Sequence, residues 1–265
     1  MSKRDAAISS LDAKADAIAL DAAAASELFG VVDLLDGQPP LRRSLSDPSA
    51  APEARVQLAE KLFAGRLSAP ALSVLSAVVG SSGLSARRLV GAVERQGVRG
   101  LLREALRSGE LARVQAELHS FATTVREDAA LADALRNRSI PIAARRELID
   151  RLAAAKVHPI TAELLSRAAA ARVRNLPVTV STYLDMAAVL GNQQIAKVTV
   201  ARPMDEQRLE RLRKALVNQE GGEIVLQVEV DPEVLGGMRV QVGDHIIEST
   251  VAGRLEDARR LLNTQ

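Results

Sequence analysis

Glu223-Ile-Val-Leu-Gln-Val-Glu-Val230, Asp231-Pro232, Met238-Arg-Val-Gln-Val242, Gly243-Asp244 and His245-Ile-Ile-Glu248 lie in one stretch near the end of the chain, and their reading decides the fold. The first run is rich in β-branched residues and reads as a strand. Asp231-Pro232 turns the chain. Two further alternating runs flank Gly243-Asp244, the pattern of a hairpin turn. Just upstream, Ile195–Ala201 alternates as another strand, Pro203 ends it, and Asp205 can cap a helix through Val217. Gly221-Gly222 breaks that helix, and Ser249 or Thr250 caps a final one carrying Arg254, Arg259 and Arg260. The order β-α-β-β-β-α predicts a small α+β layer domain.

Working outward, residues 1–190 read differently, as helix after helix. Leu101, Leu102, Ala105, Leu106, Leu111, Val114, Leu118 and Phe121 form a stripe at helical spacing, one helix or a broken pair. Pro141, Pro159 and Pro177 each stand where a first-turn proline belongs, opening helices over Ala143–Leu152, Ile160–Ala171 and Val178–Leu190. Leu67–Ala86 carries no charge and matches the roughly 20 residues that cross a bilayer. Six serines, Pro70, Gly80 and Gly83 interrupt it, so it reads as two short buried helices around a turn.

The helical part repeats itself. A shift of 90 residues aligns Leu11 with Leu101, Glu27 with Glu117, Leu28 with Leu118, Leu45 with Leu135, Arg55 with Arg145, Leu58 with Leu148, Leu62 with Leu152, Leu75 with Leu165 and Ser76 with Ser166, without gaps. Such a period is too long for a solenoid unit and predicts two small bundles, each with its own core. The break falls at Ser81-Ser-Gly-Leu-Ser85. The expected fold is therefore α+β multi-domain and mostly α. Residues 1–88 form an extra N-terminal helical bundle, 89–192 a second bundle, and 193–265 the C-terminal α+β domain.

Composition narrows the function. The chain has 265 residues, 47% hydrophobic and 26% charged, enough for real cores. Aromatics are 2% and Trp is absent, against base-stacking platforms for nucleic acid. There is no Cys, which excludes disulfides, thiolate nucleophiles and Cys-based metal sites. The net charge of +2 is small for a general nucleic-acid binder. Acidic residues interrupt the segment after Met1-Ser-Lys-Arg, so no signal sequence forms and any membrane association comes through a partner.

A search for chemistry finds little. No phosphate-cradling GxxxxGK[ST] loop and no GxSxG elbow is present. Gly236-Gly237 and Gly243 open strands rather than a helix, so they read as hairpin geometry and not as a nucleotide loop. Asp244, His245 and Glu248 resemble a metal cluster only in composition, because alternation sends His245 and Glu248 to opposite faces. No catalytic residue, metal or cofactor is expected.

The C-terminal residues carry a resemblance. Asp231-Pro232, Leu235-Gly236-Gly237, Gly243-Asp244, Ser249 and Gly253-Arg254-Leu255 fill, in order, the signature of the delta subunit family of F-type ATP synthase. The mitochondrial relative is the oligomycin-sensitivity-conferring protein. Glu248 precedes Ser249 directly, where the family usually has a glycine between. Upstream, Leu135-Arg-Asn-Arg-Ser-Ile-Pro141 and Ala196–Ala201 are similar to the family's interhelical run and its first strand. Arg138 stands where the family often has Pro, which Leu45-Ser-Asp-Pro48 keeps. The resemblance covers about residues 100–263 and makes the first bundle a second copy of the helical domain.

The resemblance implies a role. The chain would be a non-catalytic stator subunit that stops the catalytic head from turning with the central shaft. Its helical domain would bind the N-terminal helix of an alpha subunit in a groove between its first and fifth helices, walled here by Leu102, Ala105, Leu164 and Ala168. Its C-terminal domain would hold b-type stalk helices through Met238, Ile246, Val251 and Leu255, with the beta subunit as a further contact. Asp231, Pro232, Gly236, Gly237, Gly243, Asp244, Ser249 and Arg254 would set shape. It would lie on the cytoplasmic face of the bacterial membrane as a peripheral protein, without ATP or nucleic acid bound. The alternative is a helical adaptor outside the synthase that shares only the C-terminal domain.

Overall fold

The computed structural model describes residues 3–153, 155–171, 175–220, 224–231, 237–242 and 245–248. Eleven helices come first: α1 (Lys3–Asp16), α2 (Ala22–Gly37), α3 (Pro39–Leu45), α4 (Pro52–Phe63), α5 (Ala69–Gly80), α6 (Ala86–Arg107), α7 (Leu111–Glu127), α8 (Ala129–Arg136), α9 (Ile142–Ala153), α10 (Pro159–Ala169) and α11 (Leu176–Leu190). There follow β1 (Gln194–Val200), α12 (Glu206–Glu220), β2 (Ile224–Val230), β3 (Met238–Val242) and β4 (His245–Glu248). The expected final helix lies outside the described residues.

Local chemistry sets these bounds. Asp21, Asp128 and Asp205 accept from the amides of Ala24, Leu131 and Arg208 at 2.8, 3.0 and 2.7 Å. Each satisfies a free first-turn amide, worth about 1 kcal/mol. Prolines occupy the first turn of α3, α4, α5 and α10, where no amide is missed. Gly109, at φ 76°, ends α6, and the Glu110 amide folds back onto the Ala105 carbonyl at 2.8 Å. The uncharged stretch forms one helix, α5, rather than two short ones. Pro70 fits its first turn and nothing breaks it before Gly80.

The chain divides into two compact units, Met1–Tyr183 and Leu184–Gln265. The expected divisions were at residues 88 and 192; the division seen here falls within α11 and leaves both helical repeats in one unit. The helices do keep the repeat: α4 spans 52–63 and α9 spans 142–153, with Arg55, Ala59 and Phe63 buried in one and Arg145, Ile149 and Ala153 in the other. The physical reason for a single unit is α6. Its Leu101 and Ala105 align with the buried Leu11 and Ala15 of α1, while its Leu89 and Val90 align with Thr179 and Val180 of α11. One helix is thus the last of the first repeat and the first of the second. It packs on α2, α3 and α5 as well as on α7 and α10, and residues 96–102 are buried on every side. A helix buried all round cannot be shared out between two cores. Fully buried leucines, Leu28, Leu35, Leu75, Leu101, Leu102, Leu118, Leu164 and Leu165, run through both repeats, each worth about 1.5–3 kcal/mol of burial.

The second unit holds a four-stranded sheet in the order β2-β1-β3-β4. β1 and β2 are parallel, joined through α12, whereas β3 is antiparallel to both β1 and β4. Val198 stands opposite Val228 and Val240. Ala196, Val198, Val200, Ile224, Val240 and Val242 form one buried core with Leu216 of α12. The intervening Lys197, Glu229, Arg239 and Gln241 are exposed, the alternation of a sheet covered on one face.

Candidate docking surfaces

The four expected groove walls lie within the first unit and are all core. Leu102, Ala105 and Leu164 are 0% exposed and Ala168 is 2% exposed. They are buried residues of α6 and α10. A charged junction lies between α2, α6, α9 and α10. Arg167 on α10 donates from Nε to Glu94 of α6 at 2.6 Å and from Nη1 to Asp33 of α2 at 2.7 Å. Arg146 of α9 donates to the same Asp33 at 2.9 Å. The Arg167 guanidinium lies over the Phe29 ring of α2, 5.4 Å from its centre. Burial pulls the Asp33 carboxyl up, but the bonds and charges of Arg167 and Arg146 outweigh it and hold it below the usual carboxylate range.

A second charged cluster ties α1 to α6. Asp12 accepts from Arg95 at 2.6 Å and from Gln96 at 2.8 Å, and Asp16 from Arg99 at 2.6 Å. Arg103 donates to the Asp16 and Ile18 carbonyls at the C-terminal end of α1, the right sign for a helix dipole. Burial again opposes ionisation of Asp12, and the Arg95 and Gln96 bonds overcome it, so its pKa falls below the ordinary value.

Sequence pairing pointed at two other joints. Glu27 accepts from the Ser68 amide and hydroxyl at 2.7 and 2.8 Å, and Glu117 accepts from the His158 amide at 2.8 Å and the Thr161 hydroxyl at 2.6 Å. Both carboxylates therefore cap the fifth helix of their repeat. Arg55 donates to the Asp47 and Ser81 carbonyls, and Arg145 to the Leu135 carbonyl. These retained residues are architectural. The Arg167 cluster was missed because its partners, Asp33 and Glu94, are 134 and 73 residues away in sequence.

In the second unit Met238 is half-buried against the sheet core. Ile246 stands opposite Gln241 in the register. The Asp231 amide donates to the Val200 carbonyl at 2.9 Å, closing the end of the β1–β2 pair. Gly237 holds φ 81°, a conformation that calls for glycine. Pro232, Gly236, Gly243, Asp244, Ser249, Val251, Arg254 and Leu255 lie outside the described residues. Among the described residues no group of three His, Cys, Asp or Glu is placed to hold a metal, and no helix is long and apolar enough to cross a membrane.

Comparison with known proteins agrees with the signature residues. The family model described as "ATP synthase delta (OSCP) subunit" matches residues 95–262. An ATP synthase subunit delta of Nocardioides is 41% identical over 91% of this chain and 87% of its own length. One of Streptomyces avermitilis is 39% identical over 94% and 92%. Both alignments take in most of the first repeat, which the family model leaves out. A chain of the Toxoplasma gondii mitochondrial ATP synthase hexamer matches 62% of this chain and 94% of itself, at 14% identity and a TM-score of 0.38, too distant to carry weight. From its own residues 95–262 and these near full-length relatives, the chain belongs to the ATP synthase delta (OSCP) subunit family.

Proposed function

We propose that the protein is a non-catalytic stator of a proton-driven F-type ATP synthase, joining the alpha/beta catalytic head to the b-type peripheral stalk. A rotary machine stores work only if its head is held against the torque of the shaft. The helical unit grips a helix of an alpha subunit, and the sheet unit grips the end of the stalk, both by helix-in-groove contacts. The beta subunit is a further neighbour. The protein sits on the cytoplasmic face of the bacterial membrane through these partners alone.

The observation that carries this reading is family membership across residues 95–262, spanning parts of both units. The experiment is reconstitution. Membranes stripped of this subunit should leak protons through the motor and make no ATP, and adding the chain back should restore proton-driven synthesis. Full synthesis without it would end the proposal, as would ATP turnover by the isolated chain.

A further inference from the structure

We propose that α1 is a strap latched by charge, which opens and closes as one piece while the rest of the helical unit stays folded, with ionic strength as the control. The inference stands on the geometry of α1 and α6 and does not depend on the stator reading.

What holds α1 is a row of arginines. Arg95, Arg99, Arg103 and Arg107 recur every four residues on α6 and so share one face. Arg95 donates from Nε and Nη2 to the two Asp12 carboxylate oxygens at 3.0 and 2.6 Å. Arg99 donates to Asp16 at 2.6 Å and stands 3.6 Å from Asp12. Arg103 donates to the Ala15 and Asp16 carbonyls at 3.2 and 2.7 Å, and Arg107 to the Leu20 carbonyl at 2.8 Å. The row therefore neutralises both carboxylates and takes up carbonyls that a helix leaves bare at its C-terminal end.

Apolar burial adds little. Across residues 8–16 the buried apolar side chains are Leu11 and Ala15, and Ile8 is 40% exposed. At the same place in the repeat, α6 buries Val98, Leu101, Leu102 and Ala105 completely. Asp12 stands where α6 has Leu102, and Asp16 where it has Leu106. In α1, then, ion pairs replace apolar contacts. Salt weakens ion pairs that water reaches, and it does not weaken apolar burial. Arg95 and Asp16 are 31% and 35% exposed, within reach of dissolved ions. A helix attached in this way belongs to the low end of the range of local stabilities within a fold.

The test is amide hydrogen exchange on the full chain, comparing α1 with α10. At low salt the wild-type α1 amides should exchange about 30-fold faster than those of α10. They should respond little to added urea, the mark of a local opening, while α10 follows urea steeply, as global unfolding does. Raising salt tenfold should speed α1 about threefold. Asp12→Asn combined with Asp16→Asn should speed it about tenfold at low salt and remove its response to salt. Arg95→Gln, a milder change at a partly exposed position, should act in the same direction by about threefold, and it serves if the double variant does not fold. Equal exchange in α1 and α10 with one urea dependence overturns the proposal, because α1 then opens only when the unit unfolds. So does an α1 that opens early but ignores salt and the variants, which would leave Leu11 and Ala15 as its only hold.

Discussion

The helices α5 and α10 occupy the same place in the 90-residue repeat and begin alike, then part company on their outer faces. Each starts under a glutamate, Glu27 or Glu117, and each buries a matched leucine, Leu75 or Leu165. On α10 the outer face carries Arg167, locked to Asp33 and Glu94; on α5 the same position is Ala77. The first helices differ in a parallel way, with Asp12 in α1 where α6 has Leu102. The lesson is that a repeat keeps what holds each bundle to itself and changes what meets a neighbour. Core sizes can trade, as Ala59 and Phe63 against Ile149 and Ala153, because summed volume matters more than identity. A cap cannot trade so freely, since an amide left bare costs more than a methyl group misplaced.

The largest expected effect tests whether the repeats are one body. Leu75→Ala and Leu165→Ala, both at fully buried positions, should each cost about 3 kcal/mol. Both should lower the same unfolding transition, followed by circular dichroism in urea. Two transitions, each sensitive to one variant, would restore the picture of independent bundles.

Next is the close approach on α6. Gly100→Val drives a Cβ to within 2.4 Å of Leu20 and should destabilise by about 2 kcal/mol. A thermal scan showing no loss would mean that Leu20, and Ala25 of α2 at 3.0 Å, do not pack there.

The matched caps sharpen the comparison further. Glu27→Ala and Glu117→Ala should cost about 1–2 kcal/mol each, and by similar amounts, since both free the N-terminal end of a fifth helix. Markedly unequal losses in chemical denaturation would show that the two joints are not equivalent.

The smallest effect concerns pH. The folded state holds the Asp12 and Asp33 carboxyls below their usual range, so the stability they contribute is complete above about pH 4. It is lost as pH falls through their lowered folded values. Asp12→Asn should flatten this acid limb, with Asp33 supplying what remains; an acid profile unmoved by the change would rule out a role for the α1–α6 cluster.

Particular residues show how much could be read in advance. Pro141 and Pro159 announce their helices because their effect is confined to a few dihedral angles. Strands β3 and β4 run over 238–242 and 245–248, as the alternation implied. Glu27 with Glu117 and Arg55 with Arg145 were visible as pairs, though not as caps and loop anchors. The Glu94–Arg167–Asp33 junction was invisible, as was the double role of α6. Leu102, Ala105, Leu164 and Ala168, the walls the resemblance implies, are apolar, a property shared by core and docking surface.

The sequence by itself determined the order of helices and strands, the 90-residue echo and the family, because these rest on local preference and on motifs read along the chain. Only the tertiary structure decided that the two echoes share α6 and that α2 packs along it. Those outcomes depend on which distant side chains fit against one another, and Gly97 can admit Phe29 only once both helices are in place.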